Sequence, residues 1–125
     1  MSSLSARVAV VDDDAAVLAS VQFLLEVEGH FVAPFTSGVA FLKAVETARF
    51  DCLILDQHMP KFTGLELAQR LHDKGMRLPT MLFTGASTAE IEAEAAAMGL
   101  AGVVEKPVAG ETLTNFIERV LTQAA

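Results

Sequence analysis

Leu53-Ile54-Leu55-Asp56-Gln57-His58-Met59-Pro60 runs three uninterrupted aliphatic residues into a carboxylate and then into a proline. The aliphatic run reads as the end of a buried strand, and the proline as the stop to regular structure. A charge therefore stands at the mouth of a core. Desolvating a lone carboxylate is costly, so Asp56 is either hydrated or faced by a cation supplied from elsewhere in the chain.

The same pattern recurs on both sides. Arg7-Val8-Ala9-Val10-Val11 is rich in β-branched residues and reads as a first buried strand, ending in Asp12, Asp13 and Asp14. Val17, Val21, Leu24 and Leu25 follow at helical spacing up to Gly29, which puts the three acids at a strand-to-helix junction, with one of them placed to cap the helix. Phe31-Val32-Ala33-Pro34-Phe35 suits a second strand in which Pro34 favours an edge, and Ser37 caps a helix carrying Phe41, Leu42 and Val45. Phe50 to Leu55 is expected as the third strand. Beyond the Pro60 loop, Gly64 to Leu71 resumes a helix that Gly75 ends.

Thr80-Met81-Leu82-Phe83 reads as a fourth strand closed by Thr84-Gly85, and Ser87-Thr88-Ala89-Glu90 has the form of a capping box opening an alanine-rich helix. Met98-Gly99-Leu100 ends that helix. Gly102-Val103-Val104-Glu105 makes a fifth strand, Lys106-Pro107 turns the chain, and Leu113, Phe116, Ile117, Val120 and Leu121 give a final amphipathic helix. Short continuous apolar strands alternating with helices predict a doubly wound α/β domain, a five-stranded parallel sheet covered on both faces. In such sheets the functional site lies outside the carboxyl ends of the strands. Those ends carry Asp12, Asp13 and Asp14, then Asp56, Thr84 and Lys106.

Composition narrows the classes. The chain of 125 residues, 52% of them hydrophobic, is sized for one domain over 1–125 with a core of about 6–122. Nine Lys and Arg against 16 Asp and Glu give a net charge of −7, which argues against direct nucleic-acid contact. No stretch is long and apolar enough to span a bilayer, and Met1-Ser2-Ser3-Leu4-Ser5 lacks the features of a signal peptide, so a cytoplasmic protein is expected. Cys52, inside the apolar run, reads as a buried reduced thiol.

Carboxylates gathered with no basic residue in their own loops raise one another's pKa unless a hard cation sits among them. Mg²⁺ fits such oxygen donors, whereas zinc needs the clustered Cys or His that His30, His58 and His72 do not offer. Metal, lysine and hydroxyl converging on one carboxylate suit the handling of a phosphoryl group, which depends on positioning and charge neutralisation. Taken alone, an acidic run before a helix is also what the positive end of the helix dipole attracts, and Asp14 keeps that reading.

With this set assembled, the sequence resembles the receiver domain of two-component response regulators. The resemblance rests on Val10-Val11-Asp12-Asp13-Asp14, Leu55-Asp56-Gln57-His58-Met59-Pro60 with Gly64 following, Phe83-Thr84-Gly85-Ala86 and Glu105-Lys106-Pro107. It implies a (βα)5 flavodoxin-like fold of strand order 2-1-3-4-5 and a phosphoacceptor, Asp56, that takes its phosphoryl group from the phosphohistidine of a sensor histidine kinase or phosphotransfer protein. It further implies that Asp12 and Asp13 with Asp56 and the main-chain carbonyl of His58 hold Mg²⁺, and that Thr84 and Lys106 meet the phosphoryl oxygens. The family often has a cis peptide before the proline at position 107. A kinase would dock near Val17, Leu18 and the loops around the site, and a downstream protein target on the last two units, about residues 87–121, which carry Glu90, Glu92, Glu94 and Arg119. The chain is expected as a monomer or a phosphorylation-dependent dimer, catalysing only its own phosphorylation and dephosphorylation, as a single-domain switch or phosphate sink.

Two features depart from the family. Many receivers carry an aromatic residue three positions before the lysine that swings inward when the threonine moves; Val103 stands there, with little reach and few rotamers. Val108 follows the Lys-Pro turn where phenylalanine is frequent. Coupling is therefore expected to run through the Thr84 loop and the Ala95-Ala96-Ala97 helix. His58 and Ala86 occupy the two positions that tune the acyl-phosphate lifetime in this family; the His58 side chain reads first as a neighbour of the site, with gating of water as the alternative. Two further readings compete. One is a receiver cut from a longer DNA-binding regulator. The other, a Mg²⁺-dependent phosphohydrolase with an aspartate nucleophile, generally needs a second acid two residues on, where this chain has His58, and a substrate cap.

Overall fold

The computed structural model describes residues 5–123; Met1–Leu4 and Ala124–Ala125, the ends of the expected 1–125 domain, lie outside the described residues. Five strands, β1 (Arg7–Val11), β2 (Phe31–Phe35), β3 (Cys52–Asp56), β4 (Thr80–Thr84) and β5 (Gly102–Glu105), alternate with five helices, α1 (Ala15–Val27), α2 (Gly38–Ala44), α3 (Gly64–Asp73), α4 (Ala89–Ala97) and α5 (Gly110–Gln123). All strand pairs are parallel and the order is β2-β1-β3-β4-β5, the winding expected from the sequence. β2 is an edge strand, and Pro34 sits in it opposite Val10.

Side chains that alternate along each strand sort the core into two layers. Val8, Val10, Ile54, Met81 and Phe83 face α1 and α5, meeting Leu18, Val21, Leu25, Leu113, Phe116 and Ile117. Ala9, Val11, Leu53, Leu55 and Leu82 face the other way, toward Phe41, Leu65, Leu67, Leu71 and Ala95 of α2, α3 and α4. Among the described residues no helix is long and apolar enough to cross a membrane.

Two local expectations are corrected. The third strand starts at Cys52 rather than Phe50. Asp51 holds the start of β1 as a loop residue, accepting from the Arg7 N–H at 2.8 Å, while the Phe50 ring packs edge-on to Phe35 at 6.1 Å and against Phe41 at 6.0 Å. The cap of α4 is Thr88, which accepts from the Ile91 N–H at 3.1 Å; with isoleucine at the position where an acid would reach back, no capping box forms. Ser87 is engaged elsewhere, its N–H donating to Glu105 and its hydroxyl to Glu92. The capping box lies instead at α3, where Thr63 and Glu66 exchange bonds of 3.1 and 2.8 Å.

That box fixes the start of α3 hard against β3. A Cβ on Gly64 would lie 2.6 Å from the Asp56 carbonyl oxygen and 2.7 Å from Leu82 Cδ1, so only glycine allows this approach. Gly64→Ala is expected to destabilise the fold by about 2–4 kcal/mol, read by urea unfolding, since backbone at the end of a buried strand cannot yield cheaply. The Cys52 thiol is fully buried and pushed up to about 12, first by burial and then by the Asp51 charge. It should resist alkylation in the native state and react in step with global unfolding; fast labelling of the native chain would contradict this burial.

Candidate functional site

The parallel register of β1 and β3 pairs Val11 with Leu55, which makes Asp12 and Asp56 the next residues on neighbouring strands. They stand side by side at the switch point of the sheet, where β2 and β3 leave β1 in opposite directions. Asp12 is 1% exposed and Asp56 3%. The Asp12 N–H donates to the Phe35 carbonyl at 3.0 Å, which fixes this end of β1 against β2. Two strands from β3, the Lys106 N–H extends the β4 pairing by donating to the Thr84 carbonyl at 2.8 Å. The Lys106 side chain then reaches inward, its Nζ lying 2.8 Å from Asp12 Oδ2 and 3.0 Å from Asp56 Oδ1. The peptide between Lys106 and Pro107 is cis.

Asp13 completes the cluster from the exposed side: carboxylate oxygens of Asp12, Asp13 and Asp56 all lie within 4.8 Å of one another. Asp14 does not join them. It is the N-cap of α1, its Oδ1 accepting from the Ala16 and Val17 N–H groups at 2.9 and 3.3 Å, while its own N–H donates to Asp12 Oδ1 at 2.9 Å. The acidic run thus divides: Asp14 serves the helix, and Asp12 and Asp13 serve the cluster.

Burial pushes the Asp56 carboxyl above its usual range; the Lys106 bond pulls it down, the neighbouring Asp12 charge pushes it up again, and the His58 backbone amide lowers it slightly. Burial alone would lower the Lys106 ammonium, but its bonds to Asp12 and Asp56 outweigh it and the pKa is raised. Three carboxylates against one lysine leave negative charge uncompensated, and every donor in the cluster is an oxygen. That donor set fits a hard divalent cation and not zinc. No backbone N–H among the described residues is directed at the His58 carbonyl, which leaves that oxygen available beside the carboxylates.

Thr84, fully buried at the end of β4, turns its hydroxyl onto its own loop: it donates to the Ala86 carbonyl at 3.0 Å and accepts from the Ala86 N–H at 3.2 Å. The His58 ring, on an otherwise exposed residue, brings Nε2 to 3.3 Å from the same oxygen. Val103 is half-buried, packed with the apolar layer facing α2, α3 and α4 and opposite Leu82. One supporting residue escaped the sequence reading. Gln57 is 7% exposed; its carbonyl accepts from the Gly64 N–H at 3.0 Å and its side-chain Oε1 from the Leu65 N–H at 2.9 Å, clamping the start of α3 behind Asp56. A glutamine after a strand reads as loop, and only the glycine seven positions on hints that a helix returns this close.

Comparison with known proteins agrees with this geometry. The family model described as the response regulator receiver domain matches residues 8–118. The transcriptional regulatory protein FixJ of Bradyrhizobium diazoefficiens is 36% identical over 115 residues, covering 92% of this chain and 56% of that protein. Among solved structures, chemotaxis protein CheY4 of Vibrio cholerae superposes with a TM-score of 0.86 at 30% identity, covering 94% of this chain and 99% of that one. Full-length FixJ from B. japonicum gives 0.87 at 34% identity, covering 95% of this chain and 59% of that one. The chain thus spans about half the length of the curated relatives it matches. With the fold, the strand-end carboxylates and the family match in agreement, the chain belongs to the response regulator receiver domains of two-component systems, signalling modules rather than metabolic enzymes.

Proposed function

We propose that this chain is a phosphorylation-switched signalling domain in which Asp56 accepts a phosphoryl group from the phosphohistidine of a sensor histidine kinase or phosphotransfer protein. The observation that carries this reading is the Lys106 ammonium bridging Asp12 and Asp56 at 2.8 and 3.0 Å, beside a third carboxylate, at the carboxyl ends of adjacent parallel strands. An Asp56 oxygen attacks phosphorus, the bond from phosphorus to the donor imidazole nitrogen breaks with its electron pair leaving on that nitrogen, and a mixed anhydride forms on Asp56. Lys106 holds positive charge against the transferring oxygens, and the Thr84 hydroxyl, once turned inward, donates to one of them. Asp12, Asp13, Asp56 and the His58 carbonyl would hold Mg²⁺, in keeping with a family that binds this ion through acidic residues. When bound, the ion neutralises charge on the phosphoryl oxygens.

The rest of the reading follows from placement. Buried residues from Ala6 to Val120 support one receiver domain with a core of about 6–122. Exposed Glu90, Glu92 and Glu94 on α4 support a downstream protein target on residues 87–121, engaged by a cytoplasmic monomer or a phosphorylation-dependent dimer. A second reading has a specific observation behind it. The 56% coverage of a relative called a transcriptional regulatory protein favours a receiver module within a longer regulator. An antibody to this domain distinguishes the two by the size of the protein it detects in the source cells.

Phosphorylation by acetyl phosphate with Mg²⁺, followed by intact mass and by hydroxylamine sensitivity, tests the acceptor. The wild-type chain should gain one labile phosphoryl group and Asp56→Asn none; label persisting in that variant, or absent from the wild type, overturns the reading. The same substitution should raise the thermal midpoint at neutral pH in EDTA. The sign follows from the raised pKa of Asp56: its ionised form weighs against folding in full above the folded pKa. That disadvantage fades as pH falls, because the folded state takes up the proton first. The gain from Asp56→Asn should therefore shrink in acid, as scanning calorimetry can follow. Lys106→Ala should cost about 2 kcal/mol in EDTA, between the values of exposed and buried pairs, with recovery on adding Mg²⁺; equal losses with and without the ion would count against a shared cation site.

A further inference from the structure

The Thr84 hydroxyl has one proton and three neighbours. Its O–H donates to the Ala86 carbonyl at 3.0 Å, the shorter of the two contacts that could take the proton, while the Ala86 N–H occupies one lone pair at 3.2 Å. The remaining contact, at 3.3 Å, is then a bond in which His58 Nε2–H donates to Thr84 Oγ1. Among the described residues His58 is the only side chain that meets this hydroxyl, and it arrives from the β3–α3 loop, 26 residues away in sequence. Position 103 offers nothing comparable: Val103 is packed among apolar side chains and has no polar atom to answer a moving hydroxyl.

We propose that His58 is a positioning residue that latches Thr84 in its resting orientation, and that its release is the side-chain signal Val103 cannot provide. The inference rests on the phosphoacceptor reading of Asp56. A phosphoryl oxygen is anionic and accepts a hydrogen bond more strongly than the Ala86 carbonyl, so it draws the Thr84 proton inward. The hydroxyl cannot serve both. When it turns, the Ala86 bonds break and His58 Nε2–H loses its acceptor. Because His58 is exposed at the rim between the β3–α3 and β4–α4 loops, its ring then reorients on the surface a partner meets. Thr84 thus has its moving counterpart across the mouth of the site rather than on β5.

Beryllofluoride with Mg²⁺, used as a phosphoryl probe on the ¹³C,¹⁵N-labelled chain, tests this directly. The His58 imidazole nitrogen resonances should shift on binding, while the Val103 methyl resonances stay in place. His58→Ala removes a bond made only in the resting state, and should tighten beryllofluoride binding roughly two- to tenfold, the worth of one hydrogen bond. In a Thr84→Val background the same substitution should change nothing, since the latched hydroxyl is gone. Equal effects of His58→Ala in both backgrounds, or an unmoved His58 ring, overturn the latch alone. If beryllofluoride fails to bind, and the Asp56 amide is as silent as in Asp56→Asn, the phosphoacceptor reading falls and the latch falls with it.

Discussion

Lys106 is the residue on which both the end of the sheet and its chemistry depend. The register of β1 and β3 forces Asp12 and Asp56 together, each almost wholly buried, and a parallel sheet has no means of separating them without breaking its ladder. Repulsion between two desolvated carboxylates would destabilise this end of the core, and a cation beside them offsets part of that cost. Lys106 supplies that cation from β5, a strand of four residues that is only half-buried and has little apolar area with which to hold itself in place. The ion pairs therefore tie β5 to the centre of the sheet as much as they neutralise the carboxylates. Whatever brings further positive or negative charge to Asp56 must be felt at β5 as well.

This electrostatic arrangement was legible in the sequence because each member stands at the end of a short, largely apolar run. Val10-Val11-Asp12, Ile54-Leu55-Asp56, Leu82-Phe83-Thr84 and Val104-Glu105-Lys106 announce strand ends, and the winding rule for parallel sheets brings strand ends together without knowledge of any contact. What supports the site was not legible, because it depends on partners distant in sequence. Gln57 reads as a polar loop residue until the Leu65 N–H gives its amide a reason to be buried, and Gly64 reads as a helix start until the Asp56 carbonyl lies beneath it. The choice of Thr88 over Ser87 as the cap of α4 follows from Glu105, a side chain on the next strand that claims the Ser87 N–H. Phe50 reads as the start of β3 in sequence, but an aromatic side chain is satisfied equally well by other rings, and it packs against Phe35 and Phe41.

With no aromatic at position 103, the segment from Thr84 to Thr88 is the direct backbone connection from the site to α4. Thr84 holds Ala86 by both its N–H and its carbonyl, and Ala86 stands two residues before the cap of α4. The Thr84 hydroxyl thus restrains the segment that sets where α4 begins. α4 is suited to respond, since Ala95 is its only buried residue and a methyl contributes far less to docking than the leucines that hold α3. Ser87, just before the helix, adds a polar tie between its first turn and β5 by bonding Glu92 and Glu105. A helix held this lightly shifts for a smaller change in free energy than one anchored by large buried side chains.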